Sequence, residues 1–547
     1  MIPTDWRFWT ALFGAMIFLS YSAAADPCDS PQDPGAAIID CTQSINSGKW
    51  KGSDLAVYYH HRAAAYRERG DLDRAIADYT EAIRLDPARA ATAFLLRAIA
   101  FSDKGDNDRA IADFSEVIRL DPKPAMAFKG RGLAFNDKSD SDHAIADFSE
   151  AIRLDPKDAT AFGLRGLAYR KKGDNDHAIA DLSEAIRLDP EDASSFTARG
   201  IAYSDKGDND HAIADFSESI RLNPKDVRTL NIRGMAYRKK GDFDRAIADY
   251  GEAIRIDPKD AGGFKGRGLA YRAKGDSDRA IADYSEAIRL DPKDGPTFVG
   301  RGGVFNTKGD FERAIADYNE AIRLDPDDAT AFKNRGVAYR AKGDPDRAIA
   351  DYSEALRLDP KDATTFFGRG GVFNAKGDFA RAIADYSEAI RLSPKSAPAY
   401  FARGRSYLFA GSLEKALADL DQASALAPKN AYLALWVDIV SRQNHLPSRL
   451  AQTSSVIDMT VWPGPVIRLF MDQMTPAAVL AAADDPDATK KKGQVCAANF
   501  FSGELSLTKE LKDEAIRLFR LAASDCPHNF NEWDAANTEL KALGVAP

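Results

Sequence analysis

The 34-residue stretch ATAFGLRGLAYRKKGDNDHAIADLSEAIRLDPED, residues 159–192, decides the fold of this chain. Its first half places apolar residues from Phe162 to Tyr169 at steps of three and four, and its second half repeats that spacing between Gly173 and Pro190. This spacing predicts two amphipathic helices, the first ended by the glycine and the second by the proline. Neither helix can bury its apolar face alone, so neighbouring copies of the stretch must stack.

The same stretch recurs along the chain. A Gly-Asp turn marks most copies, at Gly70, Gly105, Gly173, Gly207, Gly241, Gly275, Gly309, Gly343 and Gly377, and Ser139 and Gly411 stand at the two other turn positions. The period is 34 residues, apart from a first spacing of 35. We count eleven copies over residues 56–428, which predicts an all-α solenoid of stacked helical hairpins.

Most copies carry Phe-x-x-Arg-Gly-x-x-Tyr, then Ala-x-x-x-Leu/Phe/Tyr, then a closing Pro. This pattern resembles the tetratricopeptide repeat (TPR), with an arginine at the usual leucine and another aromatic residue at the usual tryptophan. The resemblance implies a superhelix whose first helices line a concave surface, and it implies that proteins or peptides bind there.

The arginine of the pattern is present in all eleven copies, at Arg62, Arg97, Arg131, Arg165, Arg199, Arg233, Arg267, Arg301, Arg335, Arg369 and Arg403. An aspartate stands sixteen residues after each one, at Asp78, Asp113, Asp147, Asp181, Asp215, Asp249, Asp283, Asp317, Asp351, Asp385 and Asp419. A ladder of anion-binding arginines is one interpretation. We favour a structural ion pair between the two helices of each copy, because buried charges are normally paired.

Substitution is concentrated on the first helix of each copy, while the second helix is nearly constant. Two variable positions on the first helices predict a groove that is basic and amide-rich in the centre and apolar towards its C-terminal end. We select as partner-binding residues Lys129, Arg170, Asn231, Arg238, Lys265, Arg272, Asn306, Lys333, Arg340, Asn374, Phe367 and Phe401. A protein or peptide segment with acidic and apolar residues would fit this groove. The alternative is that these are ordinary solvated side chains.

Charge and motifs argue against several classes of function. With Lys+Arg 74 and Asp+Glu 83, the formal net charge is -9, so the chain lacks the basic field of a nucleic-acid-binding protein. We find no Gly-x-Ser-x-Gly and no His-Glu-x-x-His, and predict no catalytic residues and no cofactor. His143, His177 and His211 recur at one position in consecutive copies, but stacked helices lie about 8–10 Å apart, too far to share a metal ion.

The start of the chain differs from the repeats. Residues 1–25 have the apolar stretch and small-residue cleavage site of an export signal peptide, and an uncleaved N-terminal anchor is the alternative. After cleavage we expect no stable membrane insertion. Residues 26–55 are predicted to form a helical cap in which residues 36–45 act as a lone second helix.

The C-terminal region, residues 429–547, is predicted to be a separate helical domain. It includes a helix from Thr475-Pro476 to residue 483, a charged loop over residues 484–493, and a degenerate repeat hairpin over about residues 496–527. The four cysteines of the chain fall as two sequence-local pairs without the spacing of a zinc site. Among three possible connectivities we favour Cys28 with Cys41 and Cys496 with Cys526, as disulfides that close the two caps.

The sequences NFFSGEL at 499–505 and AIRLFRLA at 515–522, followed by Asn529-Phe530 and Glu539-Leu540, are similar to the C-terminal portion of the NlpI family of envelope TPR lipoproteins. The resemblance covers about the last hundred residues and implies an adaptor that brings envelope proteases and cell-wall hydrolases to their partners. We therefore expect a non-catalytic scaffold, periplasmic or secreted. A structural or self-associating solenoid, and an assembly factor for an envelope export complex, are the alternatives, and the oligomeric state stays open.

Overall fold

The structure is a computed structural model that describes Cys28, residues 33–526 and residues 531–546. The expected signal peptide, residues 1–25, lies outside this part of the chain. All regular structure in the described residues is helical. None of the helices described is both long enough and apolar enough to cross a lipid bilayer.

The chain divides into two compact units, Met1–Ala270 and Tyr271–Pro547, with the boundary inside one helix. The helices of the first unit, up to the one that holds the boundary, are α1 (Pro34–Asn46), α2 (Gly52–Glu68), α3 (Leu72–Leu85), α4 (Ala91–Asp103), α5 (Asn107–Leu120), α6 (Ala125–Asp137), α7 (Ser141–Leu154), α8 (Ala159–Lys172), α9 (Asn175–Leu188), α10 (Ala193–Asp205), α11 (Asn209–Leu222), α12 (Val227–Lys239), α13 (Phe243–Ile256) and α14 (Ala261–Ala273). A 3-10 turn over Pro87–Arg89 accommodates the extra residue of the first spacing.

The repeat helices of the second unit continue the same alternation. They are α15 (Ser277–Leu290), α16 (Gly295–Thr307), α17 (Phe311–Leu324), α18 (Ala329–Lys342), α19 (Pro345–Leu358), α20 (Ala363–Ala375), α21 (Phe379–Leu392), α22 (Ala397–Phe409) and α23 (Leu413–Leu426). Helices α2 to α23 therefore form eleven pairs, each made of a first and a second helix, as the periodicity predicts. Each even-numbered helix is the first helix of its copy.

The turn between the two helices of a copy is built by glycine and aspartate. Gly173 adopts a left-handed φ of 87°, and Ser139 adopts φ 63° at the same turn position. The Asp174 side chain caps the following helix by accepting from the backbone N–H of His177, and the His177 ring stacks on Tyr169 at 5.0 Å. His143 and His211 make the same contacts. The three histidines are thus part of the turns, where each follows the aspartate that caps the second helix.

A charged network lies between the helices of each copy. Arg199 donates from Nε and Nη2 to the two carboxylate oxygens of Asp215, each at 2.8 Å, and Asp215 is buried. Its Nη1 donates to the Ser183 hydroxyl of the preceding second helix at 2.9 Å, and that hydroxyl donates to the Ile179 carbonyl. The bidentate pair confirms the structural interpretation of the arginine series, and the third bond ties one copy to the next.

The same Arg–Asp pair forms in every copy whose arginine and aspartate both lie in the same unit. The other members are Arg62–Asp78, Arg97–Asp113, Arg131–Asp147, Arg165–Asp181, Arg233–Asp249, Arg301–Asp317, Arg335–Asp351, Arg369–Asp385 and Arg403–Asp419. A glycine follows the arginine in every copy except the first two, which have Ala63 and Ala98, and it allows close packing: a Cβ at Gly200 would lie 2.6 Å from the Phe216 ring. At Gly200 this spacing leaves room only for glycine.

The helix α1 is a half-repeat that caps the first copy of the repeats. Thr42 on α1 accepts from Arg62 Nη1 at 3.0 Å, which is the contact made by the hydroxyls of the true second helices. Cys28 and Cys41 are at disulfide distance, with Cα atoms 5.1 Å apart. The predicted N-terminal cap and its cysteine pairing are therefore present in the structure.

The tail of the second unit comprises α24 (Ala431–Gln443), α25 (Leu450–Thr453), α26 (Gly464–Phe470), α27 (Pro476–Ala482), α28 (Ala488–Thr508), α29 (Lys512–Asp525) and α30 (Asn531–Ala542). Cys496 and Cys526 are at disulfide distance, with Cα atoms 4.9 Å apart. The expected charged loop over 484–493 is wrong in its second half, because Asp487 caps α28 and starts it eight residues before Cys496. The hairpin expected over 496–527 is α28 with α29.

Candidate binding surface

The first groove position holds residues that pair with the next copy. Lys129 lies 2.5 Å from Asp158, and Asn231 donates to Asp260 at 2.6 Å, both in the first unit. Each aspartate stands 29 residues after its partner and immediately precedes or caps the next first helix. These two predicted groove residues are therefore half-buried and connect neighbouring copies.

Lys333 makes the equivalent contact in the second unit, 3.0 Å from Asp362. Although burial acts in the opposite direction, hydrogen bonds from Thr364, Thr365 and Lys333 lower the pKa of Asp362. Lys265 occupies this position in α14 and is also half-buried. The lysine charges of the groove are thus held against carboxylates wherever the structure gives their partners, and they contribute less to a basic surface than the sequence predicts.

The second groove position is more open. In the first unit Arg170 and Arg238 are half-buried, and Arg170 lies 3.4 Å from Asp205. In the second unit Arg272 and Arg340 are exposed. The exposed pair is therefore the accessible positive charge of the predicted groove.

The guanidinium group of each exposed arginine lies against a glycine of the following first helix. A Cβ at Gly303 would lie 3.4 Å from the Arg272 guanidinium, and a Cβ at Gly371 would lie 3.4 Å from that of Arg340. Copies with arginine thus alternate with Gly-Gly copies in the second unit, and each guanidinium rests against a first helix that has no side chain there. The arginine-to-glycine spacing of 31 residues is a signal that the sequence analysis missed.

Exposed apolar side chains lie on the same first helices. Val337 is 39% exposed one helical turn before Arg340, and Phe367 of the next copy is 37% exposed with its ring 5.6 Å from Tyr386. In the first unit Met235 is exposed at the position equivalent to Val337. Guanidinium and apolar groups together form the surface that would accept a segment with carboxylate and apolar side chains.

Three further predicted groove residues are half-buried. Phe401 is half-buried, with its ring 6.1 Å from Trp436 in the core of the tail. The Asn374 side-chain oxygen accepts from the Ser406 hydroxyl at 2.8 Å. The Asn306 side-chain oxygen is buried and has no hydrogen-bond partner within the described residues. The apolar C-terminal end of the groove thus continues into the tail.

Arg405 was missed by the sequence analysis although it is the most unusual residue of this surface. Other copies have an apolar residue or glycine at its position, such as Ile201 or Gly371. It is 5% exposed, and its guanidinium carbon lies 5.1 Å from the Trp436 ring and 5.7 Å from that of Phe401. Burial lowers the pKa of Arg405, and the acidic residues of α30 oppose that shift.

No group of three or more His, Cys, Asp or Glu side chains could hold a metal ion in the part of the chain that the structure describes. Two buried carboxyl groups of the tail have altered acidity. Burial and the neighbouring Glu539 raise the pKa of Glu504, and burial raises the pKa of Glu539 to about 7. One Glu504 oxygen is buried and has no hydrogen-bond partner among the described residues.

Solved structures of other proteins are similar to parts of this chain. A tetratricopeptide repeat protein from Parabacteroides merdae is 19% identical, with 46% of this chain and 99% of that chain covered and a TM-score of 0.39. Yeast Tom70 is 18% identical, with 77% and 95% covered and a TM-score of 0.38. YrrB, described as a TPR protein with an unusual peptide-binding site, is 24% identical, with 34% and 95% covered and a TM-score of 0.30.

No curated protein matches the chain. Family models match most of the repeat region. Models of the tetratricopeptide repeat match residues 62–124, 95–159, 197–261, 231–295, 265–329, 304–363, 333–397 and 373–435, and a model of the TPR repeat matches residues 166–207. These matches cover more than half of the sequence, so the chain belongs to the tetratricopeptide-repeat family.

Proposed function

We propose that this protein is a non-catalytic scaffold of the bacterial cell envelope that binds acidic and apolar segments of partner proteins on its first helices. TPR proteins bind peptides or proteins, and the repeat family is generally non-catalytic. The export signal expected at residues 1–25 and the two cysteine pairs support a periplasmic or secreted location, because disulfides persist in oxidising compartments.

The observation that carries this proposal is the contrast between the invariant and variable residues of the repeats. The invariant arginines and aspartates are used inside each copy and between copies. The variable positions of the second unit leave Arg272, Arg340, Val337 and Phe367 exposed on first helices. A surface that is not needed for folding and that combines guanidinium with apolar groups fits a partner with carboxylates and apolar side chains.

The resemblance of the tail to the NlpI family directs the choice of partners. We propose that the partners include envelope proteases or cell-wall hydrolases and the proteins on which they act. The scaffold would contribute by holding two proteins together, which raises their effective concentration without a reaction of its own.

An affinity capture from envelope extract tests the proposal. The wild type is compared with R272Q/R340Q and with R289Q/R357Q, which removes two exposed arginines of second helices that pair with nearby glutamates. We expect the wild type and R289Q/R357Q to capture the same protease or hydrolase and R272Q/R340Q to lose it. Equal capture by all three would move the site away from the first helices, and capture of no partner would refute the scaffold function.

A further inference from the structure

The last helix, α30, belongs to the core that joins the tail to the end of the repeats in the second unit. Its Ala535, Ala536 and Leu540 are buried in one core with Leu408 of α22 and Trp436 of α24. The helix therefore shares its core with α22, the last of the first helices of the repeats.

The first turn of α30 carries acidic residues into this packed region. Glu532 is 7% exposed, and Asp534 is half-buried. Burial raises the pKa of both carboxyl groups, and the positive charge of Arg405 opposes the shift in each case. Arg340 also opposes the shift of Asp534. The two carboxylates are thus within electrostatic reach of the buried Arg405, and Asp534 is within reach of an exposed groove arginine.

We define the arginine seat as Arg340 and Arg405 with the rings of Phe401 and Trp436. The Arg405 guanidinium lies among the two rings, and α30 brings carboxylates and small apolar side chains to them. An acidic segment with apolar residues is also the partner that the exposed first-helix surface fits. The helix α30 therefore has the chemistry expected of a bound partner segment.

Holding α30 in this position costs free energy at both of its ends. Two carboxyl groups are desolvated beside the arginine seat, and at the other end Glu539 faces the buried carboxyl group of Glu504 on α28. Desolvation opposes docking at both ends, because each buried carboxyl group must lose its hydration or take up a proton. Because apolar burial must offset these costs, α30 is docked less strongly than its buried area indicates, which is typical of elements that open locally.

We propose that α30 is a displaceable internal ligand of the arginine seat, and that the acidic segment of a partner binds there by replacing it. This inference rests on the proposed scaffold function and adds a regulation to it. A chain with α30 docked binds partners weakly, and a partner that offers better-placed carboxylates shifts the population towards the open form.

Binding of a synthetic fluorescent peptide with the sequence of residues 531–546 tests the inference on the full chain. The variants are E532Q/D534N and, as a control, D513N/D525N, which removes two exposed carboxylates of α29. In E532Q/D534N the internal helix no longer offers carboxylates to Arg405, so it competes less with the peptide for the arginine seat. We expect it to bind the peptide at least about tenfold more tightly than the wild type and the control, as the loss of one charge-assisted contact implies.

Hydrogen exchange provides a second readout that does not depend on the affinity of the peptide. We expect the α30 amides to lose protection in E532Q/D534N, and in the wild type with excess peptide, while α20 and α21 keep theirs. R405K, which retains the charge, should bind the peptide within several-fold of the wild type, and R405M should not bind it.

Two results would overturn the inference. One is equal peptide affinity of the wild type and E532Q/D534N with α30 equally protected in both. The other is tight peptide binding that R405M retains. If partner capture still depends on Arg272 and Arg340 in that case, the proposed scaffold function stands and only the internal ligand is refuted.

Discussion

At the scale of single residues, the repeated arginine makes two kinds of contact with different ranges. Its bidentate bond to the aspartate sixteen residues later joins the helices of one copy, and its third bond, to a hydroxyl of the preceding copy, joins neighbours. The arginine is half-buried and the aspartate is buried, as in Arg199 and Asp215. Removing one partner therefore leaves a charge poorly solvated inside the protein.

The substitution Asp215→Asn tests the structural role of the pair. We expect it to cost about 3 kcal/mol locally, because Arg199 loses its charged partner, so the amides of α10 and α11 should exchange roughly 100-fold faster. The control is E218Q, which breaks the exposed pair of Glu218 with Arg221 and should cost under about 0.5 kcal/mol. Equal effects of the two substitutions would favour the anion-binding interpretation of the arginine series.

At the scale of helices, the copies were predictable and the tail was not. The hairpins, the Arg–Asp pairs and the local pairing of cysteines depend on residues within about one period, so the spacing of side chains predicts them. The pairing of Lys129 with Asp158 also follows a fixed spacing, which the sequence analysis did not use. The tail lacks a period, so the electrostatic interaction of the α30 carboxyl groups with Arg405 joins residues that no sequence spacing connects.

The tail should lose stability as the pH rises from about 4.5 to 7. In the folded chain burial raises the pKa of Glu539 to about 7, so the folded state binds more protons than the unfolded state in this window. Stability falls with pH wherever the folded state binds more protons. We expect urea unfolding followed by tryptophan fluorescence to show this loss, because Trp436, Trp462 and Trp533 lie in the tail.

Glu504→Gln should remove much of this pH dependence, because burial and the neighbouring Glu539 raise the pKa of Glu504, and a glutamine at this buried position binds no proton on folding. At pH 8 we expect it to raise the free energy of unfolding of the tail by about 2 kcal/mol. The control is E514Q, which alters an exposed pair with Arg517 and should leave the pH profile unchanged. A destabilised E504Q at pH 8 would contradict the proposed repulsion between Glu504 and Glu539.

At the scale of the whole molecule, each copy contacts chiefly its neighbours, so stability is a sum of local terms. Terminal copies have a neighbour on one side only and need a cap. The helix α1 with the Cys28–Cys41 pair provides it at one end, and the tail with Cys496 and Cys526 provides it at the other.

Removing one cysteine pair should weaken one end only. For C28S/C41S we expect a loss of about 2–3 kcal/mol in the first repeat and faster hydrogen exchange in α2 and α3, with α20 to α23 unchanged. C496S/C526S is the matched control and should affect α28 to α30 while leaving α2 and α3 unchanged. Simultaneous loss of protection throughout the chain in either variant would show that the molecule unfolds as one cooperative body.

The bond from each arginine to the copy before it also bears on how a chain of this kind changes its length over evolution. Because nearly every copy offers the same acceptor and uses the same donor, a duplicated or deleted block of 34 residues meets compatible neighbours on both sides. Gly251 is an exception, since it has no side chain where other second helices carry a hydroxyl, Asn319 or Asp421. We expect related genes to differ by whole blocks away from residue 251, with both ends of the coding sequence retained.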